Sequence, residues 1–261
     1  MRLSFVIPTR NQARFIGQCI DGCIAQAIPE SEIVVVDGAS TDHTRDVLAS
    51  YGDRIRWISE PDRGQSDAIN KGIRMARGEL VAWINSDDYY ASPRAIGQLV
   101  EAFDAERDVD IAYGNGVRVD VDGVEIGPYR ARAITRVAEI VTHPASFVLQ
   151  PALVFRRKLF LDVGGLDESL HYTMDYELWI RMFEAARVTR YIPELIACAR
   201  YHNDAKSIAA MGRQIREAYR VKRSSARRLE LGIVDRTLMY AGVASLGAYW
   251  VAVRLGIIRA A

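Results

Sequence analysis

Two hydrophobic periods alternate along the first hundred residues. Short continuous apolar runs at Leu3–Ile7, Ile33–Val36, Ile55–Ile58 and Leu80–Ile84 read as strands. Between them, stretches near Gln12–Ala27, Asp42–Tyr51, Gln65–Ala76 and Pro93–Phe103 carry the helical period. A run such as Ile33-Val34-Val35-Val36, apolar on both sides of the pleat, suits a strand covered by helices on both faces. Asp42 and Ser92 stand where N-caps are expected, and Pro93 suits a first helical turn. The βαβαβαβ order predicts an α/β fold with a doubly wound, mostly parallel sheet and right-handed crossovers.

The second half is less regular. Val117–Ile126 reads as a hairpin around Asp122-Gly123, and Val148–Phe155 as a strand. Arg156–Val163 reads as a helix ending at Gly164-Gly165, Asp175–Ala186 as a helix and Val188–Ile192 as a strand. Beyond about Ala205 the pattern is helical to the end.

In a doubly wound sheet, ligands bind beyond the carboxyl ends of the strands. Those ends read Pro8-Thr9-Arg10-Asn11, Asp37-Gly38-Ala39-Ser40, Glu60-Pro61-Asp62-Arg63-Gly64 and Asn85-Ser86-Asp87-Asp88. All four are polar, and the topology predicts that they converge. Asp87 and Asp88 repel each other, a cost that a hard divalent cation such as Mg²⁺ or Mn²⁺ would relieve; taken alone, the pair could also be a solvated turn and cap. Asp37 at a strand end could accept from a nucleobase or ribose, with Gly38 letting the ligand approach, or it could be an ordinary loop residue. The loop contains neither GxGxxG nor GxxxxGK[ST], which counts against a dinucleotide enzyme or a P-loop NTPase.

Composition narrows the class. The 34 Lys and Arg against 33 Asp and Glu leave a formal charge of +1, which argues against a general nucleic-acid binder. Cys19, Cys23 and Cys198 give no disulfide framework and read as buried thiols. The opening MRLSFVIPTRN is broken by Pro8 too soon for a signal peptide, so a cytoplasmic location is the expectation.

Together, Val6-Ile7-Pro8-Thr9-Arg10-Asn11, Val36-Asp37-Gly38-Ala39-Ser40-Thr41-Asp42, the segment from Gly64-Gln65-Ser66-Asp67 through Asn70-Lys71-Gly72, and Asn85-Ser86-Asp87-Asp88 resemble the family 2 glycosyltransferases with the GT-A fold, over roughly residues 3 to 205. The resemblance implies a metal-dependent enzyme that moves a sugar, with inversion, from a UDP- or dTDP-type donor to an acceptor hydroxyl in polysaccharide or glycolipid assembly. It implies a domain over residues 1–205, with a nucleotide-sugar-binding half to 115 and an acceptor half from 116. Pro8, Thr9, Asp37, Gly38 and Ser40 would surround the nucleoside; Gly64, Gln65, Ser66 and Asp67 would line the same pocket; Asp87 would lie near the ribose. Asp88 would ligate Mn²⁺ or Mg²⁺. Many members carry Asp where Asn85 stands. Met174-Asp175 resembles the family's Glu-Asp segment with Met174 in place of the Glu, which makes Asp175 the candidate base, favoured as an anion by the positive end of its helix; Glu177 is the rival. His202, within Arg200-Tyr201-His202-Asn203, would reach the metal or diphosphate. His171 is a weaker candidate for acceptor or phosphate, and Gln150-Pro151-Ala152 for the acceptor cleft.

The extension over 206–261 is first basic, with Arg213, Arg216, Arg220, Lys222, Arg223, Arg227 and Arg228, and then uncharged from Thr237 to Val253. Its 17 residues sit at the lower bound for spanning a membrane. Packing on the domain, a homodimer contact, and a peripheral contact that holds the enzyme near a lipid-linked acceptor all remain open. Two rival classes also stand: a nucleotidyltransferase using similar carboxylates, and a nucleotide-sugar-binding module without catalysis.

Overall fold

The computed structural model describes residues 1–143, 146–201 and 211–254. Strands form at the four apolar runs: β1 (Leu3–Thr9), β2 (Ser31–Asp37), β3 (Arg56–Ser59) and β4 (Leu80–Trp83). They are parallel, in the order β3-β2-β1-β4. The register sets Thr9 beside Asp37 and Asp37 beside Ser59, so three strand ends finish level with one another. The connecting helices are α1 (Ile16–Ala25), α2 (Thr44–Ser50) and α3 (Gln65–Met75); the two-residue strand β5 (Tyr89–Tyr90) and α4 (Ala95–Ala105) follow β4.

Three helices begin later than their polarity pattern indicates. Residues 12–15 form a turn before α1, and α2 and α4 each start two or more residues past the expected cap. Asp42 and Ser92 still accept backbone N–H groups, from Thr44 at 3.0 Å and Arg94 at 3.4 Å. They do so within tight turns that precede the helices, a common use of short polar side chains.

Strand alternation assigns the two cores. Leu3, Phe5 and Ile7 of β1, with Leu80, Ala82 and Ile84, face the buried sides of α1 and α4. Val6, Val81 and Trp83 face the opposite layer with Ile69 and Ile73 of α3. Cys19 and Cys23 are buried free thiols on the inner face of α1, and Cys198 is also buried and free.

The sheet continues through β6 (Val109–Val119), β8 (Leu153–Arg156) and β9 (Val188–Arg200), with β7 (Glu125–Tyr129) added to β6. β8 runs antiparallel to both β4 and β6, β9 lies parallel to β6, and β5 closes the far edge antiparallel to β9. The expected strand at Val148–Phe155 begins only at Leu153, because Gln150–Ala152, with Pro151 inside it, forms a 3-10 turn. β9 runs well past Ile192: its register breaks opposite Gly114 and Asn115, which lets Pro193 sit outside the ladder.

The second layer is completed by α5 (Val137–Thr142), α6 (Arg157–Asp162), α7 (Met174–Ala185), α8 (Met211–Arg228) and α9 (Ile233–Arg254). Trp83 and Trp179 lie with ring centroids 6.0 Å apart at its centre, both essentially inaccessible. The C-terminal helices join this core through Val221, Ala226, Leu231 and Met239. Among the described residues no helix is long and apolar enough to cross a membrane.

Candidate active site

The polar strand tips are laced together. Gly38 N–H donates to the Thr9 carbonyl at 2.9 Å and Glu60 N–H to the Asp37 carbonyl at 3.0 Å. Asn11 N–H donates to Ser40 Oγ at 2.8 Å, and Thr41 N–H returns to Asn11 Oδ1 at 2.8 Å. Asp37 is fully buried; its carboxylate accepts from the Ser40 hydroxyl, from Ser40 N–H at 3.0 Å and from the Ser59 hydroxyl at 2.6 Å. Asp37 and Ser40 therefore hold each other and shape the loop. Thr9 differs: its hydroxyl is buried with no hydrogen-bond partner among the described residues. A buried polar atom left unpaired is costly, and a bound ligand is one way to pair it. At Gly38 a Cβ would meet the Asp62 carboxylate and lie 3.4 Å from Arg10 Cδ, so a side chain there would displace the Asp62 side chain.

The first turn of α3 joins the two halves. Gly64, at φ +125, starts the helix. Gln65 Nε2 donates to Asn85 Oδ1 at 2.9 Å on the nucleotide side. The next residue, Ser66, donates to the Met174 sulfur at 2.8 Å at the start of α7. Asp67 is buried, and burial pushes its carboxyl upward. The Arg63 N–H at 3.1 Å, the Arg63 guanidinium and the Lys71 ammonium outweigh that and hold it below the usual carboxylate range. One turn on, Asn70 grips Leu166 in both directions, N–H to Oδ1 at 2.9 Å and Nδ2 to carbonyl at 3.0 Å.

Beyond β4, Asp88 is buried while Asp87 is half-buried. Asp88 Oδ1 accepts from Arg200 N–H at 2.8 Å, and Oδ2 from Asn85 Nδ2 at 3.4 Å. Burial first, and then the charge of Asp87, drive the Asp88 carboxyl well above the ordinary aspartate range, against these donors and the Arg200 charge. In the sequence Arg200 stands out only as part of the Arg200-Tyr201-His202-Asn203 motif. Here its guanidinium donates to the Asp87 carbonyl at 2.5 Å and to Gln18 at 3.0 Å, and lies over the rings of Phe15 and Tyr89.

Asp175 is the second residue of α7, whose N-cap is Thr173, so Asp175 is not itself the cap. Its Oδ1 accepts from Tyr176 N–H at 2.8 Å. The helix terminus was expected to favour the anion. Burial dominates instead: it raises the carboxyl above the usual range, against the N–H groups of Tyr176 and of Asp175 itself, with the Glu217 charge adding to the rise. Tyr201 follows β9 directly. Burial, then Asp88 and Asp175, push its phenol up while Arg118 opposes them.

Of the remaining candidates, Gln150 is buried and donates to the Trp83 carbonyl at 2.6 Å. Glu177 pairs with Arg181 at 2.5 Å. His171 is exposed at the rim of a small cavity shared with Gln65, Ser66 and Met174. His202 lies outside the described residues. Among the described residues no three His, Cys, Asp or Glu side chains gather as a metal site.

A parallel sheet with interlocked polar tips, an acidic pair after β4 and an antiparallel-fed second half define a GT-A fold. S. aureus TarS 1-349 in complex with UDP superposes with a TM-score of 0.67 at 18% identity, over 92% of this chain and 70% of that one. The mannosyltransferase PcManGT from Pyrobaculum calidifontis, in complex with GDP-Man and Mn²⁺, gives 0.65 at 19%, over 96% and 75%. The chain belongs to Glycosyl transferase family 2, whose family model matches residues 4–164. That stretch contains every strand-tip residue above and ends before α7. The chain is 28% identical over 209 residues to an uncharacterized glycosyltransferase of Rickettsia felis, covering 77% of this chain and 34% of that protein. It is 25% identical over 234 residues to the hyaluronan synthase of Pasteurella multocida, covering 87% and 23%. The chain therefore spans a third or less of the length of these relatives. Family membership sets the nucleotidyltransferase alternative aside.

Proposed function

We propose that the chain moves a sugar from a nucleotide-diphosphate donor to an acceptor hydroxyl, with Asp175 as base and a divalent cation beside Asp87 and Asp88. The observation that carries this reading is the first turn of α3, where Gln65 bonds Asn85 of the acidic loop and Ser66 bonds Met174 beside the candidate base. The complexes of TarS with UDP and UDP-GlcNAc, and of PcManGT with GDP-Man, support a nucleoside-diphosphate sugar as donor; UDP- and dTDP-sugars are the first to try.

The acidic pair suits Mn²⁺ or Mg²⁺. Asp88 is destabilised as an anion by burial and by Asp87, and a cation would remove that cost. Such ions often take only one or two protein carboxylates and complete their shell with substrate phosphates and water. Asp88 would be the main ligand, and His202 is a further candidate. When bound, the ion supplies Lewis-acid stabilisation of the departing diphosphate charge.

The other roles belong to the chain. The Thr9 hydroxyl and the loop that Asp37 and Ser40 hold, with Pro8 and Gly38, would receive the nucleoside, and Gly64, Gln65 and Ser66 would line the sugar side. The ribose would lie by Asp87. Asp175 would take the acceptor proton as its oxygen attacks the anomeric carbon from the face opposite the leaving group, which inverts that carbon. A carboxyl raised by burial is a stronger base than a solvated one, and such catalysis is worth roughly 10²–10⁴-fold. Asp175→Asn is expected to abolish transfer while donor-induced thermal stabilisation persists; normal transfer by this variant would remove Asp175 from the role.

The setting we propose is an anionic membrane surface carrying a lipid-linked acceptor. Arg213, Arg216, Arg220, Arg223 and Arg227 are exposed at helical spacing along α8, and Ile233, Val234 and Leu238 are exposed on α9.

A further inference from the structure

Glu217 sits mid-way along α8, yet its carboxylate is spent on the start of α7. Oε1 accepts from Tyr172 N–H at 2.7 Å, Thr173 N–H at 2.8 Å and the Thr173 hydroxyl at 2.9 Å; Oε2 accepts from His171 N–H at 3.1 Å. Thr173 occupies the N-cap position but makes no capping bond with its own side chain. A carboxylate from 44 residues away instead binds the N–H groups of the three residues that lead into the helix.

The inner face of α8 repeats the device with opposite sign. Buried Lys222 donates to the carbonyls of Val141, at 2.9 Å, and His143, at 2.5 Å, at the C-terminal end of α5. An acid at one helix N-terminus and a cation at another C-terminus each match the local dipole. α8 is thereby fastened to the end of α5 and to the segment that leads into α7.

We infer that Glu217 is a positioning residue for Asp175, fixing the segment that leads into α7 and placing a negative charge close to the candidate base. This rests on Asp175 being the base. Glu217 suits the part: burial alone would raise its carboxyl, but the three N–H donors and the Thr173 hydroxyl hold it below the usual range, so it is ionised at neutral pH. Its charge adds to the burial that raises Asp175.

Among the described residues, His171 and Arg213 lie against the Tyr172 ring, on the segment that leads into α7. Tyr129 and Tyr201 sense the charge of Asp175, burial being the main cause of their own upward shifts. Glu177 is paired with Arg181 on α7, Lys158 with Asp162 on α6, Glu139 of α5 with Arg132, and Lys222 points to carbonyls. Besides Asp175 itself, Glu217 is the carboxylate among the described residues whose hydrogen bonds hold the lead into α7 and whose charge acts on Asp175.

The test is the pH profile of kcat for nucleoside diphosphate release, using whichever of UDP-GlcNAc and GDP-Man the wild-type protein turns over with Mn²⁺. Glu217→Gln can keep the Oε1 contacts while losing the charge, so its acid limb should move to lower pH with donor KM unchanged. Glu217→Ala loses the contacts as well, and kcat should fall by roughly 10²-fold, the scale of an ångström-size misplacement. An unmoved acid limb in Glu217→Gln, or one moved to higher pH, overturns the inference; if Glu217→Ala fails to fold, the Gln variant decides alone. Asp175→Asn separates the two claims. Turnover by that variant, or none by the wild type with either donor, counts against the reading of the base; an inactive Asp175→Asn beside an unshifted Glu217→Gln counts only against Glu217.

Discussion

Asn70 offers the sharpest test of how the two halves are held together. It lies on α3, one turn past the residues that touch Asn85 and Met174, and it is buried, as is its partner Leu166. Replacing it with Ala strips the Leu166 N–H and carbonyl of their bonds and removes the contact from Nδ2 to Glu168 at 3.2 Å. Each stranded backbone group costs about 1–3 kcal/mol, so the pair predicts a loss of roughly 2–6 kcal/mol. Against a total stability on the order of 5–15 kcal/mol, that is a large fraction. At about 2–4 °C per kcal/mol for a chain approaching this size, a loss near the middle of the range lowers Tm by roughly 8–16 °C. Thermal and urea denaturation of Asn70→Ala measure it. Asn70→Asp, which keeps an acceptor for Leu166 N–H but sets a carboxylate against the Leu166 carbonyl and Glu168, should be no better. A Tm for Asn70→Ala within about 2 °C of wild type would show that the segment leading into α7 is not held by this amide.

Asp67 carries a pH signature. Its folded carboxyl titrates below the unfolded value, so it contributes stability above the unfolded pKa of about 3.9, and that contribution is lost as pH falls through the lower folded value. Asp67→Asn should therefore be less stable than wild type at neutral pH, by about 1 kcal/mol since Arg63 is largely exposed, and the gap should close in acid; a pH-independent gap would refute the electrostatic origin. For the membrane setting, flotation with anionic vesicles should exceed flotation with zwitterionic ones, and Arg220→Glu with Arg223→Glu should abolish the difference. Equal flotation, or a concentration-dependent dimer whose formation hides the α9 face, would exclude it.

The donor half was legible because its physics is local. A parallel strand covered on both faces has to be apolar throughout, so Ile33–Val36 announced itself, and the change to Asp37-Gly38 marked the tip. The acceptor half is written at longer range. β6 is interrupted by Gly114, Asn115 and Gly116, and β9 by Pro193, so neither shows a clean alternation although they pair along most of their length. The acidic pair was visible, but its supports were not: Arg200 reaches Asp88 across 112 residues, and no periodicity signals that. Glu217 looks like a minor offset within an arginine-rich helix, and its hold on the residues leading into α7 appears only when α8 folds back. The expectation that the helix terminus governs Asp175 failed for a related reason, since burial is a property of the assembled core.

Donor capture at the strand tips decides the account most directly, through thermal denaturation of the wild-type protein with UDP-GlcNAc, a dTDP-sugar and GDP-Man, each with and without Mn²⁺. Stabilisation by at least one nucleotide sugar that requires the metal, and that vanishes in Asp88→Asn, is the predicted result. Stabilisation of equal size without metal, or preserved in Asp88→Asn, would contradict the cation-bridged donor site; no stabilisation by any of the three would contradict donor binding itself.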